Sequence, residues 1–233
     1  MSQRFNHDRE QLMRRLLSMG AIAEGMLQKV SEAVLKRNAD LMQEVLKDEK
    51  EVDALEREID SEVIRLISVY TPVAEDLRFL LMASRINNEL ERIGDQAENV
   101  CDYFKELLQA SPEKPFVHLP RMATIAQEML HKALDAFIER SEEKAAAVMR
   151  RDDEIDALND EVREKQLEDM AQDPTIVRTA LGMILIARAF ERVADLAVDI
   201  SIGVVYLLRG EDIRHVKKAW LKQMSLRKDR HGR

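Results

Sequence analysis

Apolar residues recur every three or four positions over long stretches of this 233-residue chain, which is the spacing of an amphipathic helix. Two stretches show it most clearly: Ile86, Leu90, Ile93, Ala97, Val100 and Phe104, and Ile186, Phe190, Val193, Ala197, Ile200 and Val204. Between turn-forming residues, the pattern predicts six helices near 8–37, 40–69, 73–109, 121–140, 142–171 and 175–209. Thr71 and Asp173 each precede a proline, which predicts an N-cap with proline in the first helical position.

The polar positions repeat as well. ELERIGDQAENV at 89–100 returns as AFERVADLAVDI at 189–200, an offset of 100 residues. MGAIAEGMLQKV at 19–30 aligns with MATIAQEMLHKA at 122–133, and EVDALEREI at 51–59 aligns with EIDALNDEV at 154–162, both at an offset of 103. The duplication predicts an all-α fold of two tandem three-helix bundles, over residues 1–110 and 121–210, joined by a proline-containing linker at 111–120. Residues 211–233 form a basic tail.

Composition and charge narrow the class of protein. A single cysteine, Cys101, excludes an intrachain disulfide, and the polar start MSQRFNHDRE is not typical of a signal peptide, so we expect a cytoplasmic protein. The longest apolar run, residues 181–187, is too short to cross a bilayer. The net charge of −8 argues against nucleic-acid binding. The tail carries eight Lys and Arg against three acids, and we expect a solvated, mobile terminus there rather than a contact with the membrane surface.

Any chemistry lies in the carboxylates. Each half carries two helical pairs at i, i+4 and a further oxygen donor one turn on: Glu49, Asp53, Glu91, Asp95 and Asn99, then Asp152, Asp156, Glu191, Asp195 and Asp199. Counted from the proline turn, Asp53 and Glu91 come level in an antiparallel hairpin, and the second half repeats this. Such oxygen-only sets suit hard cations such as Mg²⁺, Mn²⁺, Ca²⁺ or Fe³⁺ better than Zn²⁺. A helical wheel places them on the surface, where plain solvation is the alternative.

Enzymatic arrangements are not evident in the sequence. The five histidines form no cluster with Cys101, and there is no glycine-rich phosphate loop. Glu128 and His131 make one Glu-x-x-His pair, but a ferritin-like di-iron site needs two, and the matching positions are Gly25 and Gln28. We therefore predict a protein that is not an enzyme.

The order of motifs resembles the PhoU family of phosphate-uptake regulators over about residues 5–215. The likeness rests on TPVAEDLR at 71–78, ELERIGD at 89–95 and ARAFERVAD at 187–195. It implies a cytoplasmic, often dimeric protein of two three-helix bundles. It also implies surface clusters of metal ions (Fe, Mn, Mg or Zn) at the motif E(D)xxxD, which falls here on Glu49, Asp53, Glu91, Asp95, Asp152, Asp156, Glu191 and Asp195.

The role that the resemblance implies is regulatory. Such proteins couple the ATPase of a phosphate ABC transporter to a phosphate-sensing histidine kinase, with negative regulation at high phosphate, and reach the membrane only through these partners. An accessory protein of a low-affinity phosphate permease and a metal-storing helical protein are the alternatives. Leu196, Val198 and Asp199 depart from the family pattern and put the ligands of the second cluster in question. For Arg92 and Arg192, we expect neutralisation of neighbouring acids rather than phosphate binding.

Overall fold

The computed structural model describes residues 3–108 and 118–231, which form helices without a β-strand. The helices are α1 (Gln3–Lys36), α2 (Asp40–Tyr70), α3 (Ala74–Leu108), α4 (Leu119–Ile138), α5 (Glu142–Gln172), α6 (Val177–Arg209) and α7 (Lys217–His231), with a 3₁₀ turn at Pro174–Ile176. The all-α prediction and its six helices are confirmed. Most of the predicted linker at 111–120 lies outside the described residues.

The helices form two three-helix bundles that share one core. Helices α1, α2 and α3 pack on one another, as do α4, α5 and α6. The halves meet along α3 and α6, which form the most extensive helix pair of the molecule, and again between α1 and α4. Buried apolar side chains from both halves belong to a single cluster. The duplicated segments therefore stabilise each other and not only their own bundles.

Close approach of α3 and α6 depends on two glycines. A Cβ built on Gly203 would lie 2.1 Å from Cε of Met82, and one built on Gly182 would lie 3.0 Å from Cδ2 of Leu107 and 3.5 Å from the carbonyl oxygen of Tyr103. These contacts run in opposite directions along the two helices, so α3 and α6 are antiparallel. Position 82 lies against position 203, and position 182 lies against position 103. The repeat offset of 100 relates 82 to 182 and 103 to 203, so exchange of the two halves reproduces the contact, as in a two-fold interface.

The two proline turns differ, and one predicted cap is wrong. Asp173 accepts a hydrogen bond from the backbone N–H of Thr175 at 3.0 Å and starts the 3₁₀ turn that leads into α6. Thr71 is not an N-cap: it ends α2 in a left-handed conformation with φ 42°, and its N–H donates to the carbonyl of Ile67 at 3.0 Å. Helix α3 begins at Ala74, so residues 71–73 form the first turn.

The basic tail also differs from the expected solvated terminus. Within it, α7 lies against the second bundle, with Ile213 and Trp220 only 2% and 5% exposed. Leu221 and Met224 are partly buried against the core. The helical spacing of Trp220, Leu221 and Met224 gives the tail a narrow apolar face. The many basic residues around these three positions obscure that face in the sequence.

No helix of residues 3–108 and 118–231 is long and apolar enough to cross a membrane. This agrees with the short apolar runs of the sequence.

We expect Gly203→Val to lower the free energy of unfolding by about 1–3 kcal/mol, because added methyl groups force Met82 out of the α3–α6 contact. Gly25→Val is the matched control, since a Cβ there meets nothing within 4 Å. The control is expected to change stability by less than about 0.5 kcal/mol. Urea unfolding followed by circular dichroism measures both. Equal effects would show that the helices do not depend on this close approach.

Candidate functional site

Helices α2 and α3 bring acidic side chains together along one side of their hairpin. The members are Glu49, Asp53 and Glu56 of α2 and Glu91, Asp95 and Glu98 of α3, which we call the first cluster. Burial, followed by the charges of Asp95, Glu56 and Asp53, raises the pKa of Glu91 to about 6. These carboxylates are thus close enough to oppose one another's ionisation.

Two other members of the first cluster also have raised pKa values. Burial, followed by the charges of Asp53, Glu98 and Asp95, raises the pKa of Glu49. Burial and then the charge of Asp53 raise the pKa of Asp95. The four residues proposed from the sequence are therefore near enough to raise one another's pKa values across the hairpin. Three of them are partly buried, and Asp95 is exposed.

Two members, Glu56 and Glu98, were missed in the sequence. The charge of Glu56 adds to those of Asp95 and Asp53 in raising the pKa of Glu91, so Glu56 belongs to the same cluster. A sequence signal existed: Glu56 lies seven residues after Glu49, and Glu98 seven after Glu91, which puts each pair on one helix face.

The second cluster consists of Asp152 and Asp156 of α5 with Glu191 and Asp195 of α6. Burial, followed by the charges of Asp152 and Asp195, raises the pKa of Asp156. Burial and then Asp195 raise the pKa of Glu191. The expectation of a shallow site fails here in part, because Asp152 and Glu191 are each only 9% exposed. Each also has one buried oxygen, Oδ1 and Oε2 respectively, without a hydrogen-bond partner among the described residues.

Two acidic positions of the first cluster are not acidic in the second half. At the repeat offsets, Asn159 stands where the first half has Glu56, and the buried Val198 stands in the place of Glu98. Two of the six carboxylates of the first cluster therefore have no acidic counterpart. The departure from the family pattern at Val198 corresponds to a loss of charge at this site.

Basic partners also differ between the clusters. In the second, Nζ of Lys217 lies 2.6 Å from Oδ2 of Asp152, Nη1 of Arg188 lies 3.0 Å from Oε1 of Glu191, and Nη1 of Arg192 lies 3.1 Å from Oδ2 of Asp195. These are the contacts of three ion pairs. In the first, Nη1 of Arg57 lies 3.7 Å from Oδ2 of Asp53, and both side chains are well exposed, so the pair adds little.

Arg92 shows why the equivalent arginines behave differently. Its Nη1 donates to Oε2 of Glu89 at 2.8 Å. The counterpart of Glu89 is Ala189, so Arg192 has no such neighbour and donates to Asp195 instead. Both arginines form ion pairs with acids, as expected, but only Arg192 pairs with a cluster carboxylate.

Asn99 and Asp199 occupy the positions one turn beyond the motifs. Asn99 is partly buried on α3. Desolvation by the surrounding protein, followed by the charge of Asp195, raises the pKa of the Asp199 carboxyl. The positive charges of Arg85 and Arg92 on α3 lower the same pKa. Asp199 therefore lies beside arginines of the other half as well as beside its own cluster.

Within residues 3–108 and 118–231, no group of three or more carboxylate, imidazole or thiol side chains is arranged so that it could hold a metal ion. The carboxylates of each cluster repel one another without sharing a centre. Their donor set, oxygen alone, is nonetheless the one that hard cations prefer. Cation binding at either cluster would require the side chains to rotate toward a common point.

Other candidate groups have structural partners. Burial raises the pKa of the Cys101 thiol to about 12, so the thiol remains protonated at neutral pH. Glu128 pairs with Arg151, and Nδ1 of His131 lies 3.0 Å from Oε1 of Glu24. Glu128 and His131 of the Glu-x-x-His pair thus contact different partners.

Comparison with known proteins agrees with this geometry. A family model described as the PhoU domain matches residues 16–104 and 119–202, one match in each bundle. The phosphate-specific transport system accessory protein PhoU homolog from Aquifex aeolicus is 32% identical over 206 residues, covering 88% of this chain and 93% of the relative. The Escherichia coli accessory protein PhoU is 29% identical over 229 residues, covering 98% of this chain and 95% of the relative.

Two solved structures share the fold. The crystal structure of PhoU from Pseudomonas aeruginosa matches with a TM-score of 0.86 and 29% identity, over 89% of this chain and all of that one. A phosphate transport system regulatory protein PhoU from Streptococcus pneumoniae matches with a TM-score of 0.83 at 21% identity, over 89% of this chain and 98% of that one. The tandem-bundle architecture is thus that of experimentally determined proteins.

The raised pKa of Glu91 makes stability depend on pH. Its folded-state pKa of about 6 exceeds the ordinary 4.5, so the folded state holds the proton more tightly, and ionisation destabilises the fold as pH rises through about 6. We expect Glu91→Gln to raise the free energy of unfolding at pH 7.5 by about 1 kcal/mol after allowance for solvent screening. Below pH 4.5 this gain disappears.

Urea unfolding at pH 4, 6 and 7.5 measures this dependence. Glu58→Gln on the exposed side of α2 is the control and is expected to show no such change with pH. A Glu91→Gln effect that stays constant across the range would contradict repulsion within the first cluster.

Proposed function

From the premise that this chain belongs to the PhoU family, we propose that it is a non-enzymatic accessory protein of phosphate transport that lowers phosphate uptake and the phosphate-starvation response at high phosphate. The observation that carries the proposal is the match of both bundles to the PhoU domain. Support also comes from relatives named as accessory proteins of the phosphate-specific transport system, which align over nearly the whole chain.

The proposed partners are the ATPase of a phosphate ABC transporter and a phosphate-sensing histidine kinase, contacted from the cytoplasm. The internal two-fold between α3 and α6 supports an adapter role, because it presents two similar surfaces on one rigid core. The net charge of −8 favours partner surfaces that are basic. In this scheme the protein reaches the membrane through its partners and acts as a homodimer.

We also propose that the first cluster binds a hard cation such as Mg²⁺, Mn²⁺ or Fe³⁺. Three features support this site: six carboxylates on neighbouring helices, raised pKa values that report mutual repulsion, and ion pairing that is weak or directed elsewhere. Glu49, Asp53, Glu91 and Asp95 would supply the oxygen ligands. A bound cation would offset the repulsion and link α2 to α3, which stabilises the hairpin.

Asp53→Asn with Asp95→Asn tests this cation site. We expect the double variant to reduce Mn²⁺ affinity at least about tenfold, because two anionic ligands are lost. Isothermal titration calorimetry and metal analysis after dialysis measure it. Glu51→Gln with Glu168→Gln removes two exposed carboxylates outside the clusters, and this control should bind Mn²⁺ as the wild type does. Equal binding by both double variants would place any cation elsewhere.

Deletion of the gene tests the regulatory role. We expect alkaline phosphatase to be expressed at high phosphate and phosphate uptake to rise, because the inhibitory adapter is missing. Enzyme assays and uptake of labelled phosphate measure this, with the intact gene returned on a plasmid as the control. Normal repression and normal uptake in the deletion strain would refute the role. Returning the Asp53→Asn, Asp95→Asn variant shows whether the first cluster takes part.

A further inference from the structure

Exposed leucine and isoleucine side chains recur at equivalent positions of the two halves. Ile64 of α2 corresponds to Leu167 of α5 at the offset of 103. Leu81 of α3 corresponds to Leu181 of α6 at the offset of 100. The exposed fractions are 65% for Ile64, 53% for Leu167, 45% for Leu81 and 50% for Leu181. A single exposed apolar residue is ordinary, but exposure of the same two positions in both halves makes a repeated feature of the surface.

The apolar pair of each half lies near the hairpin turn, on the seam where the two helices meet. In the first half, Oγ of Ser84 donates to Oδ1 of Asp60 at 3.1 Å, from α3 to α2. Ile64 and Leu81 lie four and three residues nearer the turn than these two partners. They therefore share the same helix faces and stand level in the antiparallel hairpin. The repeat gives the α5–α6 hairpin the same arrangement, so there is a first seam between α2 and α3 and a second between α5 and α6.

Each seam leads from its apolar pair to an acidic cluster. Leu81 precedes Asp95 by 14 residues, and Leu181 precedes Asp195 by 14. This interval is nearly four helical turns, so the apolar pair and the cluster lie on one side of the helix, about 20 Å apart. Three basic side chains pair with acids of the second cluster, whereas the first has the long, exposed pair with Arg57. A protein lying along the first seam therefore meets apolar side chains and then negative charge.

The two seams are placed symmetrically about the contact between α3 and α6. Gly182 lies against Tyr103 of α3. Its neighbour Leu181 therefore stands about 30 Å from Leu81 along the helix axes. Helix α1 packs on α2 and α3, α4 packs on α5 and α6, and α1 meets α4. The exposed sides of both seams thus open on the other side of the molecule, where α3 meets α6.

Charge and symmetry together indicate the kind of partner that fits. A second copy docked on this side would bring the acids of one copy against those of the other, and an anionic lipid surface would meet the same repulsion. A basic protein surface avoids both. Because one chain presents the same apolar pair twice about an internal two-fold, this side fits a dimer with two-fold symmetry. The ATPase subunits of an ABC transporter act as a pair, so the ATPase proposed above is a partner of this kind.

We propose that the two seams together bind a symmetric dimer of the transporter ATPase, with one subunit at each apolar pair and the internal two-fold on the axis of the dimer. One chain then bridges both subunits. A chain that holds both subunits opposes any step in which they move relative to each other, which is how an adapter of this shape lowers uptake. The inference rests on the proposed function, from which it takes the ATPase.

The experiment measures binding of the full chain to the purified ATPase, held as a dimer by a non-hydrolysable ATP analogue. Light scattering gives the stoichiometry, and calorimetry gives the affinity. We expect one chain per ATPase dimer. Leu81→Glu and Leu181→Glu are each expected to weaken binding about tenfold, and together about a hundredfold, because distant contacts with one partner add in free energy.

Leu35→Glu with Ile138→Glu is the matched control. These two residues are also related by the offset of 103 and are 52% and 48% exposed. They belong to α1 and α4, which form neither seam. The control should bind the ATPase as the wild type does, and circular dichroism confirms that each variant is folded.

Each alternative has its own outcome. ATPase binding that tolerates both leucine substitutions, or two ATPase dimers per chain, overturns the bridging surface and leaves the regulatory role intact. Self-association that is lost in the leucine double variant shows that the seams hold a second copy instead. Leucine-dependent binding to the histidine kinase or to phosphatidylglycerol vesicles, without binding to the ATPase, identifies a different occupant. Absence of ATPase binding by the wild type overturns the proposed partner and the bridge with it, while gene deletion tests the regulatory role separately.

Discussion

The close packing of α3 against α6 is the contact on which the rest of the structure depends. Gly203 against Met82 and Gly182 against Leu107 allow the two backbones to approach, so the apolar stripes of the two halves become one core. This arrangement uses the inner faces of both helices. The acidic residues of the repeated motifs must therefore project sideways, toward α2 in one half and α5 in the other, where repulsion between them is unavoidable.

A few side-chain differences then determine how each half deals with that repulsion. Glu89 engages Arg92, whereas Ala189 leaves Arg192 free to reach Asp195. Val198 is buried in the position that corresponds to the acidic Glu98. The backbone pattern is shared, but Lys217, Arg188 and Arg192 pair with acids of the second cluster, whereas the first has the long, exposed pair with Arg57. The two halves thus share one fold but differ in the charged side chains around their acidic clusters.

The fold was predictable because apolar periodicity and a polar repeat agreed along the whole chain. The proximity of Asp53 and Glu91 was predictable for the same reason, since helix rise fixes height in a hairpin. The conformation of the turn was not, because Thr71 ends α2 in a left-handed conformation and does not cap α3, which begins at Ala74. No helical pattern encodes the geometry of so short a turn.

The docking of α7 was beyond sequence reasoning for a different reason. Its apolar face consists of Trp220, Leu221 and Met224 among many basic residues, so average composition indicates a solvated tail. What holds the helix is complementarity between single groups: the indole with Arg209, and Lys217 with Asp152. Such contacts depend on how α5 and α6 are placed by the packing of the bundle, which no local pattern in the tail encodes. At the second cluster, the ammonium of Lys217 offsets part of the repulsion between Asp152 and Asp156.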